Sequence, residues 1–260
     1  MPDVIGIIPA RLASTRFPNK VLADATGWPL IRHVHAAAAK ARSLSRLVIA
    51  TDEPSVLEAV RAFGAEAILT RRDHPNGTSR LAEAARLLDL PADSIVVNVQ
   101  GDEPELDASI IDRAVASLRD SAAPMATAAV PFDAADDPTN PNIVKVVLRA
   151  DGTAMYFSRS LIPFQRDAGS RNAAAPHAAA PEPTSAPLRH IGLYAYRRPF
   201  LDVYLALPPA PPEVAEQLEQ LRALYHGHTI AVALCHGPAH AGIDTPEQYG
   251  AFVKRFMSRR

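Results

Sequence analysis

The stretch SIVVNVQGDEP, Ser94 to Pro104, decides how the chain is read. Its first seven residues are a near-continuous apolar run, the pattern of a strand covered on both faces. GDEP then stops the run, because Gly101, Asp102 and Pro104 are all turn formers. A core strand that ends on Asp102 and Glu103 has two readings. The acidic pair is ordinary turn chemistry, or a carboxylate at a strand tip holds a metal ion.

Outward from that strand, the first half of the chain repeats one unit. VIGII (4–8) is followed by a polar loop and then by WPLIRHVHAAAAKA (28–41), which has helical spacing. RLVIATD (46–52) leads into PSVLEAVRAF (54–63), and AEAILT (65–70) into RLAEAARLLDL (80–90). The Ser94 strand leads into ASIIDRAVASL (108–118). Four strands, each followed by a helix, predict a doubly wound parallel α/β sheet.

The second half has another texture. MATAAVPF (125–132), IVKVVLRADGTAMYFSR (143–159) and LRHIGLYAYR (188–197) read as strands, with a hairpin turn at ADG, 150–152. EVAEQLEQLRALYHG (213–227) predicts one helix after PPAPP, IAVALCH (230–236) a further strand, and TPEQYGAFVKRFMSRR (245–260) a closing amphipathic helix. The Ala/Pro-rich residues 165–187 predict a surface loop. His226 and His228 mark a helix end, Cys235 fills core, and Trp28 anchors a helix start.

Composition narrows the functional classes. A formal net charge of -1 over 260 residues gives no global attraction to nucleic acid or membrane, so neither partner is expected. The single cysteine excludes an intramolecular disulfide, and no run reaches membrane-spanning length; a cytoplasmic protein is expected.

Ligands of open α/β sheets bind beyond the carboxyl ends of the strands. The first such loop, PARLASTRFPNK (9–20), carries Arg11, Arg16 and Lys20 with Ser14 and Thr15 between them. Arginine forks and a lysine point charge suit a polyanion. Neither G-x-x-x-x-G-K nor G-x-G-x-x-G occurs there, which disfavours a P-loop NTPase and a nicotinamide dehydrogenase. If the first and fourth strands are neighbours, Asp102 emerges beside this basic loop. A triphosphate held there would bring Mg²⁺, which takes one or two carboxylates plus phosphate oxygens and waters. Asp244, in GIDTPEQY (242–249), is a second carboxylate; the same residues equally read as a helix cap with proline at the first helical position. TRRDHPNGTSRL (70–81) offers Asn76, Gly77 and Arg80, as a turn and cap or as a base-reading edge.

PARLASTRFPNK, TRRDHPNGTSRL, VNVQGDEP, NIVKVVL, YFSRSLIPF, RHIGLYAYR, LEQLRAL and GIDTPEQ occur in this order. With them the chain resembles, over nearly its whole length, the 3-deoxy-D-manno-octulosonate (Kdo) cytidylyltransferases, or CMP-Kdo synthetases. The family pattern S-G-T-E-R stands here as Asn76-Gly77-Thr78-Ser79-Arg80. The resemblance implies a Rossmann-like α/β fold with a doubly wound, mixed, mostly parallel sheet and a smaller β-rich substrate and dimerisation subregion. Residues 1–260 would form a single nucleotidyltransferase domain: a CTP-binding half at about 1–125 and 229–260, and a sugar-binding and dimerisation subregion at about 126–228. It implies the reaction of CTP with Kdo to CMP-Kdo and diphosphate, Mg²⁺ as cofactor, a homodimer, and a place in lipopolysaccharide biosynthesis.

The resemblance also implies roles. Arg11, Ser14, Arg16 and Lys20 would bind the CTP phosphates, Ala10 would also touch the nucleotide, and Asn76, Gly77 and Arg80 would lie at the cytidine side. Asp102 and Asp244 would hold Mg²⁺, with Asp102 also touching nucleotide, and Arg11, Lys20, Asp102 and Asp244 would serve catalysis. Gln100, Arg159, His190, Tyr194, Glu219 and Gln220 would form the sugar pocket, with Arg159 on the Kdo carboxylate. Alternatives are a cytidylyltransferase for another acidic sugar such as sialic acid, or a regulatory nucleotide-binding domain without catalysis.

Overall fold

The computed structural model describes residues 2–12, 16–74, 76–133, 136–164, 166, 186–237 and 242–259. Ser14 and nearly all of the segment 165–187 lie outside the described residues.

The four βα units form as the pattern predicts. Strands β1 (Val4–Ala10), β2 (Arg46–Thr51), β3 (Glu66–Leu69) and β4 (Ile95–Asn98) alternate with helices α1 (Leu30–Ala38), α2 (Pro54–Ala62), α3 (Gly77–Leu87) and α4 (Ala108–Arg119). Then come β5 (Met125–Pro131), β6 (Lys145–Leu148), β7 (Ala154–Ser158), β8 (Leu188–Arg197), α5 (Arg198–Ala206), α6 (Pro211–Glu216), α7 (Gln220–Tyr225), β9 (Ile230–Leu234) and α8 (Pro246–Ser258). The sheet order is β3-β2-β1-β4-β8-β5-β9, with β6 beside β8 and β7 beside β6. β1 pairs in parallel with both β2 and β4, so the first and fourth strands are neighbours. β8 enters antiparallel between β4 and β5, and β5 pairs in parallel with β9.

Burial on both faces explains the continuous apolar runs. Adjacent residues of a strand point to opposite sides. Ile8 joins Val34, Val60 and Ile111 under α1, α2 and α4, while Ile7 joins Leu81, Phe200 and Leu221 under α3, α5 and α7. A satellite cluster of Leu30, Ile243, Tyr249 and Phe252 docks α8 against the loop before α1, and Tyr249 Oη accepts from Ala25 N at 2.8 Å. No helix among the described residues is long and apolar enough to cross a membrane.

Two elements differ from the sequence reading. The helix expected over 213–227 is broken into α6 and α7 at Gln217, which sits in the left-handed region with φ 52. Arg159 causes the break to pay off in bonding: its Nε donates to Glu216 O at 2.6 Å and its Nη2 to Gln217 O at 3.3 Å, taking carbonyls a continuous helix would use internally. Helix α5 was not expected; Pro199 stands in its first turn, and Phe200, Leu201 and Tyr204 give it a buried face.

The edge pairing of β8 makes the cleft. β5 occupies one edge throughout, Leu188 to Tyr196. The other edge pairs with β6 through Leu188 and Arg189 and with β4 through Tyr194 to Arg197. Residues 190–193 therefore span the gap between two partners, and that gap opens on the tips of β1 and β4.

Candidate active site

A cleft of about 1810 Å³ lies over the carboxyl ends of β1 and β4. A pocket for one drug-sized ligand is typically ~300–1,000 Å³, so this cleft has room for two substrates together.

At its floor two strand tips touch. A Cβ on Gly101 would lie 2.6 Å from Pro9 O, so only glycine lets β4's exit cross β1's at this distance. That crossing sets Asp102 beside the basic loop. The segment before α8 arrives there because Ile243 N donates to Asp102 O at 2.8 Å. Thr245 caps α8 in a capping box with Gln248, whose Oε1 also accepts from Asp244 N at 2.7 Å. The cap reading of GIDTPEQY is thus correct, and the cap is also what positions the Asp244 carboxylate.

Lys20 Nζ stands 2.9 Å from Asp102 Oδ2 and 3.2 Å from Asp244 Oδ1. Arg16 Nη2 reaches Asp244 Oδ2 at 3.0 Å. Two carboxylates converging on one cation are the donor type magnesium takes, the remainder of its shell being phosphate oxygens and waters. Here a protein ammonium stands at the convergence, so the pair can share a cation and the donor set fits. Among the described residues no group of three or more His, Cys, Asp or Glu side chains forms a complete cage. Further ligands would come from a bound nucleotide. Burial, then the Asp102 carboxylate, push the neighbouring Glu103 up to about 8, and Arg189 opposes them.

The residues expected at the nucleotide separate into cleft walls and supports. Arg11 and Gly77 line the cleft. Burial, then the Arg80 charge, lower the Arg11 guanidinium from its ordinary value. Arg80 itself is fully buried and lies behind the wall: Nη1 donates to Thr70 Oγ1 at 2.6 Å and Nη2 to Asp52 Oδ2 at 2.8 Å. Asn76 is the α3 N-cap, its Oδ1 accepting from Ser79 N at 2.9 Å. Ala10 closes β1 in the core.

Of the residues expected at the sugar, His190 and Tyr194 lie on β8 and the others line the cleft beside it. A register shift between Thr127 and Ala128 marks a bulge opposite Gly192 and Leu193. Its carbonyls are met by side chains: Gln100 Nε2 donates to Gly192 O at 2.9 Å, and the Thr127 hydroxyl lies 2.7 Å from Leu193 O. Thr127 Oγ1 then accepts from His190 Nε2 at 2.9 Å, which assigns the ring proton to that nitrogen. Burial lowers His190 to about 3, so the ring is neutral at physiological pH. Burial raises Tyr194 and Glu219 as well. Glu219 Oε2 accepts from Thr78 Oγ1 at 2.9 Å, joining the first turn of α3 to the residue before α7. Arg159 and Gln220 complete this wall.

Several cleft residues carry no role in the sequence reading: Thr78, Asn98, Arg189 and Tyr196. Thr78 stood inside a quoted motif, but its link to Glu219 crosses 141 positions and leaves no local signal. Asn98 Oδ1, Gln220 Nε2 and Arg11 Nη2 are buried without a hydrogen-bond partner among the described residues, and all three side chains line the cleft. Buried polar groups are normally paired, so these atoms are poised for a ligand. His226, by contrast, ends α7 with Nε2 on Pro208 O at 3.0 Å, and Cys235 is buried after β9.

Comparison with known proteins agrees with this geometry. The family model described as cytidylyltransferase matches residues 5–230. A 3-deoxy-manno-octulosonate cytidylyltransferase from Syntrophobacter fumaroxidans (strain DSM 10017 / MPOB) is 50% identical over 251 residues, 96% of this chain and 95% of that protein. The solved structure of a CMP:2-keto-3-deoxy-manno-octonic acid synthetase complexed with CTP superposes with a TM-score of 0.87 at 37% identity, covering 99% of this chain and 100% of the other. A cytidylyltransferase from Leptospira borgpetersenii serovar Hardjo-bovis (strain JB197), 14% identical with a TM-score of 0.58 over 99% of this chain and 88% of the other, shares the fold. With strand tips, basic loop and acidic pair in one cleft and the family match spanning most of its length, the chain belongs to the cytidylyltransferase family.

Proposed function

We propose that the chain activates Kdo with CTP for lipopolysaccharide biosynthesis. The anomeric hydroxyl oxygen of the sugar bonds to the α-phosphorus, the bond from that phosphorus to the leaving diphosphate breaks, and the hydroxyl proton passes to solvent. Such transfers depend on positioning and on stabilising charge at the phosphate oxygens. Arg11, Arg16 and Lys20 would bind the triphosphate, with Ser14 in the same loop. Asp102 and Asp244 would hold Mg²⁺, which when bound supplies Lewis-acid neutralisation of the phosphate oxygens. Gln100, His190, Tyr194, Glu219 and Gln220 would orient the sugar, and Arg159 its carboxylate. Thr78 would couple the two halves through Glu219.

The observation that carries this reading is one cleft with a cation-rich strand-tip floor facing a polar wall of neutral His190, Glu219 and unpaired Gln220 Nε2. The relative at 50% identity supports the choice of Kdo. A homodimer and cytoplasmic location belong to the same proposal. Diphosphate release from CTP is the test, run in parallel with Kdo and with sialic acid. Turnover with Kdo alone is expected. Preferential use of sialic acid would replace the sugar, and CTP binding without release under either condition would make the chain a nucleotide-binding regulator.

A further inference from the structure

The cleft wall facing the strand tips is built from residues 140–143 and Arg159, which lie in turns and bends. Three of the four carbonyls of 140–143 are held by cations. Lys145 Nζ donates to Asn140 O at 3.2 Å and to Ile143 O at 2.8 Å, and Arg159 Nη1 donates to Pro141 O at 3.0 Å. The third Lys145 bond goes to Arg159 O. An ammonium has three N–H groups, and all three are used.

Lys145 is wholly buried, and among the described residues its hydrogen bonds all go to backbone carbonyls and none to a carboxylate, although Glu216 and Asp137 lie near enough to act on its charge. Burying an ammonium costs free energy that packing does not return. Its neighbour Val146 fills core from the same strand without any charge. What the charge accomplishes is convergence: it draws backbone oxygens from the 140–143 turn and from Arg159 to one point. Arg159 extends the chain of contacts, with Nε on Glu216 O and Nη2 on Gln217 O just before Glu219 and Gln220. Three of the five guanidinium N–H groups are thereby committed to backbone, leaving two for a ligand.

We propose that Lys145 is a positioning residue for the acidic-sugar half of the site, acting through Arg159 and the 140–143 turn. This rests on the sugar reading above. Its test varies Kdo and CTP separately in the diphosphate-release assay on the full chain, for wild type, Lys145→Met and the core control Val146→Ala. Lys145→Met raises KM for Kdo by about tenfold or more, since small misplacements in a site are costly, and leaves KM for CTP within about twofold. Val146→Ala lowers Tm and moves neither KM. Equal shifts in both KM values, no shift, or the same split in Val146→Ala would overturn the proposal. If Lys145→Met does not fold, Lys145→Gln, which keeps a short donor, is read by the same split; failure of both to fold beside a folded Val146→Ala would show a purely structural lysine and overturn it too. Wild-type turnover with Kdo tests the substrate reading separately, because only the variant-to-wild-type ratio tests Lys145.

Discussion

At 2.9 Å from Asp102 Oδ2 and 3.2 Å from Asp244 Oδ1, the Lys20 ammonium holds together two carboxylates that would otherwise repel each other. Lys20 is buried but keeps Asp244 as a partner when Asp102 is neutralised, so losing this one charge costs little stability while it matters to any phosphate chemistry above it. Asp102→Asn is therefore expected to keep Tm close to wild type and to lose ~3–4 kcal/mol of transition-state stabilisation, as removal of one well-aimed group in such sites does. Diphosphate release at saturating Mg²⁺ measures it, and near-normal turnover would remove Asp102 from the chemistry. His190 makes a stability prediction. Burial holds its folded pKa at about 3, below the ordinary 6.5, so the unfolded chain binds more protons between those values. The stabilisation is complete above pH 6.5 and is lost as pH falls toward 3, by up to ~1.4 kcal/mol per pH unit. Partial exposure of the ring to the cleft trims that figure. Urea unfolding at pH 7 and pH 5 should show a smaller loss in His190→Gln than in wild type; equal losses would contradict the assignment.

Elements explain which residues could be read in advance. Asp102 was legible because a polar tip on an apolar strand stands out locally, and the basic loop because its charges lie within ten positions. Asp244 remained ambiguous because one local device, the α8 cap, accounts for the same letters that carry the carboxylate. Arg80 illustrates the opposite limit: a charged residue in a motif looks ligand-facing, while its buried pair with Asp52 is set by a contact between α3 and the end of β2. The break between α6 and α7 was hidden because the leucine spacing continues through it, and only Arg159, far away in sequence, withdraws the carbonyls. Gly101 shows how much an element junction can decide. Gly101→Ala drives a methyl against Pro9 O, and relief requires the tips of β1 and β4 to part. A loss of ~1–3 kcal/mol in stability, as for other overpacked sites, should accompany a fall in kcat/KM. Chemical denaturation and turnover measured on the same preparation would check it; an active, fully stable variant would mean that the crossing can widen freely.

For the molecule as a whole, alternation of strand and helix made the parallel half of the sheet legible, while the insertion of β8 was not. Nothing in LRHIGLYAYR states that it will lie antiparallel between β4 and β5, since its partners are chosen by which edges remain open after the βα units form. The cleft follows from that insertion, because β8 sets Tyr194 opposite the last residue of β4 and carries His190 beyond it. The insertion also governs the order of assembly during synthesis. A ribosome that has delivered the first 125 residues has made β1 to β4 but not the strand that shields β4, whose Ile95 awaits Arg197. Such a nascent chain presents a bare, apolar sheet border to any neighbour. A recombinant fragment of residues 1–125 is accordingly expected to sediment as aggregate, and a monodisperse, helical fragment would show that the border protects itself. The parallel half of the sheet would then be a late product of translation, its border closed only when the hundred-and-ninety-seventh residue arrives.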